Sequence, residues 1–98
     1  MQFKIIITPI AKEHIDAARD YYKTVANDKI VKKLNFEIKS ALKKLKINPF
    51  FEVRSNTYRA INIKNFPYLL FYQLIESTNT VNILALFQTN QDTEKYPT

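Results

Sequence analysis

The chain holds 98 residues, 46% hydrophobic and 24% charged, with a formal net charge of +6; this is the composition of one soluble domain, residues 1–98, with no room for a second core. It contains no cysteine, which excludes disulfide frameworks and thiolate metal sites. It also contains no glycine, which excludes phosphate loops and dinucleotide fingerprints, whose backbone must approach the ligand closely.

The apolar run Ile5-Ile6-Ile7 is too short for a signal core and charges follow it at once. No stretch approaches the roughly 20 apolar residues of a membrane span. A cytoplasmic location without membrane contact is therefore expected.

Phe3, Ile5 and Ile7 alternate with Lys4 and Thr8, which predicts a first strand over about 2–8. Thr8-Pro9 is a capping residue followed by proline at the first helical position, where a missing N–H does no harm. A helix should run from Pro9 to about Val25, with Ile10, Ala11, Ile15, Ala17, Ala18, Tyr21, Tyr22 and Val25 in one broad apolar arc. His14, the only histidine, falls in the middle of that arc and reads as a packed core residue, not a titrating catalyst.

Asn27-Asp28 supplies a break and a fresh cap, and a second helix follows over about 29–47. Ile30, Val31, Leu34, Ile38, Ala41, Leu42 and Leu45 share one arc of it, and seven lysines lie opposite. Asn48-Pro49 ends it, because the residue before proline avoids the helical region. Two such helices joined by a short break should pack as an antiparallel hairpin.

The second half switches to period two. Strands are expected over 58–63, 68–75 and 81–87, joined by Asn65-Phe66-Pro67 and Glu76-Ser77-Thr78-Asn79. In the last strand, strict alternation places Val81, Ile83, Ala85 and Phe87 on one face and Asn82, Leu84, Leu86 and Gln88 on the other. The expected fold is α+β in the order β-α-α-β-β-β. The N-terminal helical hairpin covers one face of a small, largely antiparallel sheet. A loose tail follows after about residue 88.

Between Lys29 and Lys46 stand seven lysines and one acid, Glu37, which is +6; the other residues hold eight basic and eight acidic groups and sum to zero. The basic character therefore belongs to one helix face. Lys32, Lys33, Lys39, Lys43 and Lys44, with Lys64 beyond the helix, could follow a phosphate backbone or attract an acidic protein. A plain solvated face accounts for them equally well. Phe36 falls among these lysines and marks a candidate contact.

Asn48-Pro49-Phe50, Tyr58-Arg59, Phe66-Pro67-Tyr68-Leu69-Leu70-Phe71-Tyr72 and Leu84-Ala85-Leu86-Phe87, in this order of elements, resemble the RelE/ParE superfamily of type II toxins. The Phe-Pro-Tyr segment with the preceding Tyr-Arg is the most specific part, and the likeness covers nearly the whole chain. The resemblance implies a toxin that arrests growth and is silenced by a cognate antitoxin, whose flexible segment folds on binding. RelE-like members cut messenger RNA on the ribosome through the ribose 2′-OH, whereas ParE-like members poison DNA gyrase.

Cleavage through the 2′-OH needs a proton acceptor, a proton donor and cations around the phosphorane. The position where such nucleases often carry a catalytic His is Gln88 here, and the following Arg corresponds to Gln91. An amide exchanges no proton near neutrality. The candidate set is then Glu52 as base, Arg54 and Arg59 as phosphate clamps, Tyr96 as a weak acid and Gln88 as a hydrogen-bonding group. Against it, Glu52 and Arg54 also read as solvated loop residues and Arg59 as a strand-surface cation. Tyr58, Tyr68 and Tyr72 read as core or sheet-face aromatics before base-stacking platforms.

The set is incomplete for a nuclease, so a gyrase-type or unresolved target is favoured. A ribosome-dependent endoribonuclease is the alternative, and a non-toxic antitoxin-binding relic the second. No cofactor or metal is expected, since one His and scattered carboxylates give no ligand spacing.

Overall fold

The computed structural model describes residues 2–51, 53–55 and 58–89. Strand β1 (Lys4–Ile7) leads into helix α1 (Pro9–Val25) and helix α2 (Asp28–Ile47). A short strand β2 (Val53–Ser55), then β3 (Tyr58–Asn62), β4 (Tyr68–Ile75) and β5 (Thr80–Gln88) complete one five-stranded sheet in the order β1-β5-β4-β3-β2. β1 pairs with β5 in parallel and every other pair is antiparallel. The expected order holds, with β2 as an added edge strand where the sequence suggested only a loop.

The helix ends follow from their caps. The Thr8 hydroxyl accepts from the Ala11 amide at 3.3 Å while donating to the Ile83 carbonyl at 2.8 Å, so one side chain starts α1 and ties it to β5. The Asn27 carbonyl oxygen accepts from the Ile30 amide at 3.0 Å and starts α2. Without glycine, the two turns that take a left-handed residue among the described residues use asparagine, Asn65 at φ 68° and Asn79 at φ 49°. Asparagine tolerates that region better than other side chains.

The main core lies between the hairpin and one sheet face. It joins Ala11, Ile15 and Ala18 of α1 and Leu34, Ile38, Ala41 and Leu45 of α2 to Ile61, Leu70, Tyr72, Val81, Ile83 and Leu86 of the sheet. α1 buries a narrower stripe than its apolar arc suggests. Ile10, Tyr21 and Val25 are half or more exposed.

Strand β5 departs from simple alternation. Tyr72 pairs with Ile83 and Phe71 with Ala85, so Leu84 is skipped as a bulge. Beyond it the faces exchange. Leu86 joins Val81 and Ile83 under the helices, while Ala85 and Phe87 join Ala60, Leu69 and Phe71 on the opposite face. The expected grouping of Ala85 and Phe87 with Ile83 is corrected by that one extra residue.

Candidate functional site

The Tyr-Arg and Phe-Pro-Tyr segments sit on neighbouring strands, with Arg59 opposite Tyr72 and Tyr58 opposite Gln73. Both Arg59 and Tyr72 turn toward the linker that follows α2. An Arg59 guanidinium N–H donates to the Phe51 carbonyl at 2.8 Å, and the group lies 5.7 Å from the centre of the Phe50 ring. The buried Tyr72 hydroxyl donates to the Pro49 carbonyl and accepts from the Phe51 amide at 3.3 Å. Burial pushes the Tyr72 phenol above its ordinary value, against the Phe51 amide and the Arg59 charge, which pull it down. These contacts fasten the Asn-Pro-Phe linker to the sheet.

Gln88 stands elsewhere, at the end of β5, where its amide donates to the Tyr68 hydroxyl at 3.4 Å. Arg54 lies on β2. Glu52 and Tyr96 fall outside the described residues. Among the described residues, Arg59 and Gln88 serve different neighbours, one at the linker and the other beside α1, and no acid–base pair forms between them.

The sheet face away from the helices is informative. Strand register places Tyr58, Ala60, Asn62, Leu69, Phe71, Gln73, Asn82, Ala85 and Phe87 on it. Across β3, β4 and β5 no Lys, Arg, His, Asp or Glu stands on this face, and the Tyr58 phenol is the one titratable group that these three strands place there. Lys4, at register with Thr80 on edge strand β1, also stands on it.

The lysine face is present as expected. Lys32, Lys33, Lys39, Lys43 and Lys44 are exposed on α2, Lys64 is exposed in the β3–β4 turn, and Phe36 is 67% exposed. Phe36, Lys39, Ser40, Leu42, Lys43 and Lys46 join Ile5 of β1 around a groove of about 470 Å³. It has an apolar floor and a lysine rim.

Two features escaped the sequence reading. Glu37, in the middle of the lysine helix, is 8% exposed and accepts from the Asn65 side-chain amide at 3.1 Å, tying α2 to the β3–β4 turn. At 100° per residue it lies about 20° beyond the apolar arc of α2, which is the signal that could have found it. The second is a groove of about 320 Å³ between α1 and the end of β5, lined by residues that include His14, Ala17, Tyr21, Tyr68 and Phe87. His14 is half-buried there: its Nδ1 accepts the Leu86 amide at 3.2 Å and its ring lies 5.2 Å from that of Phe87. It is a satisfied residue, as expected, although it borders a groove and not the centre of the core. Beside it Tyr22 is raised above the ordinary tyrosine value, first by burial and then by the neighbouring Tyr68 and Tyr21 phenols.

A family model described as the ParE toxin of the type II toxin–antitoxin system parDE matches residues 5–93. No curated protein matches the chain in sequence. Among solved structures, the chromosomal ParDE TA system from P. aeruginosa superposes with a TM-score of 0.77 at 16% identity, covering 91% of this chain and 98% of that one. The isolated RelE toxin of E. coli gives 0.56 at 12% identity, covering 92% and 87%. The YoeB dimer of Staphylococcus aureus gives 0.54 at 22% identity, covering 87% and 94%. At these identities the likeness to the solved structures is one of fold.

Proposed function

Because the chain belongs to the ParE toxin family of type II toxin–antitoxin systems, we propose that it arrests growth by binding a gyrase-type target and that an acidic antitoxin segment neutralises it. The observation that carries the target reading is the sheet face without helices. Its three central strands offer no cation for a phosphorane and no His or carboxylate to take the 2′-OH proton. Arg59, the cation closest in sequence to such a role, is engaged by the Phe51 carbonyl and the Phe50 ring. A face of this kind supports action by occupying a surface.

The antitoxin reading rests on charge and shape. The groove between α2 and β1 offers Ile5, Phe36 and Leu42 as apolar floor beneath Lys39, Lys43 and Lys46. An amphipathic segment with an acidic edge fits that pattern as helix-in-groove recognition. The test has two arms, run with purified protein. Added to gyrase and supercoiled plasmid, it should trap cleaved DNA; added to ribosomes on a defined message, it should leave the message intact. Codon-phased cuts that vanish in Arg59→Ala would overturn the target reading and make the protein a ribosome-dependent endoribonuclease. Normal growth on induction without antitoxin would make it a non-toxic relic. An absence of calorimetric binding between wild type and the neighbouring gene's product would remove the antitoxin.

A further inference from the structure

The second groove lacks the lysine rim of the first. β1 ends at Ile7, opposite Ile83, so from Leu84 onward β5 has no strand on that side. α1 runs along the uncovered edge instead, and His14 takes up the Leu86 amide. Ala17 and Ala18 leave space between helix and strand, and Tyr21, Tyr68 and Phe87 wall it. The exposed Ile10, Tyr21 and Val25 continue this surface along α1.

Helical geometry puts Glu13 and Asp20 on the solvent border of the stripe and turns Lys12, Arg19 and Lys23 to the far side of the helix. Among the described residues, no Lys or Arg lines the groove. A phosphate-bearing ligand therefore finds no counter-charge here, and an acidic antitoxin segment is repelled. What fits is a protein segment that inserts one large aliphatic or aromatic side chain and brings basic residues beside Glu13 and Asp20. Such a buried anchor in a pocket is the usual energetic centre of an interface.

We propose that this α1–β5 groove is where the cellular target docks, as a basic-flanked apolar protein segment, while the antitoxin occupies the lysine-rimmed groove on the other side of the hairpin. The proposal rests on the toxin reading above. The toxin then has two separate protein-binding faces of opposite sign.

The test uses the whole chain carrying Ala17→Arg, which fills the groove from an exposed helical position with a good helix former, and separately Tyr21→Ala, which removes an exposed wall. Growth arrest on induction and calorimetric affinity for the antitoxin are read side by side. Arrest should be lost in Ala17→Arg and weakened in Tyr21→Ala, with antitoxin affinity within about twofold of wild type, as for substitutions outside an interface. Retained antitoxin binding also shows that each variant is folded. Arrest at wild-type strength in both variants overturns the proposal. So does a fall in antitoxin affinity of more than about tenfold with an unchanged circular dichroism spectrum, which would assign the groove to the antitoxin. A wild-type chain that fails to arrest growth removes the toxin reading itself and this proposal with it, and is told apart because no variant enters that comparison.

Discussion

Tyr72 holds two backbone groups of the linker at once, and it does so with no exposure to solvent. Tyr72→Phe keeps the ring and leaves the Pro49 carbonyl and Phe51 amide without their partner. A buried polar group stranded in this way costs about 1–3 kcal/mol, and urea unfolding should read a loss of that size. The same phenol sets an alkaline limit. Its folded value is raised, so its neutral form contributes fully below the unfolded value of about 10 and that contribution fades as pH rises through the folded value. Stability of the wild type should fall in that alkaline window, and Tyr72→Phe should fall less steeply, with the raised Tyr22 accounting for part of what remains. Equal alkaline slopes would contradict this. At this scale the sequence was only partly readable. It placed Tyr72 and Arg59 on paired strands, but nothing local announced that Pro49–Phe51 would fold back to receive them. Arg59 therefore read as a phosphate clamp or a strand-surface cation, and its contacts with the Phe51 carbonyl and the Phe50 ring were not foreseen.

Among the elements, those with chemical punctuation were legible. Thr8-Pro9, Asn27 and Asn48-Pro49 mark the helix ends to within a residue, and the alternating run 68–75 gives β4 as found. β2 was not, since three residues carry too little periodicity to separate a strand from a loop. The β5 bulge was equally silent, because a strand of apolar residues on both faces reads the same with or without a skipped position. It has a measurable consequence. Strict alternation makes Leu84 and Leu86 equivalent, whereas the structure buries Leu86 to 4% exposure under the helices and leaves Leu84 half-buried. Leu86→Ala should cost about 2–5 kcal/mol, as for a packed core leucine, and Leu84→Ala clearly less. Thermal or denaturant unfolding of the two variants gives the comparison, and equal losses would argue for an unbulged strand.

For the molecule as a whole, the uneven placement of charge matters more than its sum. The lysine excess was legible as one helix face, and its pairing with a Phe36 groove required the fold to bring β1 alongside α2. Association with an acidic antitoxin should slow markedly between about 0.01 and 0.15 M salt, as the screening length falls from roughly 30 to 8 Å, while dissociation changes little. The double variant Lys39→Glu, Lys43→Glu should slow association and flatten that salt dependence in stopped-flow or surface-binding kinetics. A salt-insensitive wild-type on-rate would remove electrostatic capture from the account.

The parallel pairing of β1 with β5 also sets a timetable for biosynthesis. The first strand made waits for the last one, so the sheet cannot close until residues 80–83 have left the ribosomal tunnel. Chains that stop before residue 80 therefore lack the strand that β1 pairs with and never acquire the closed sheet.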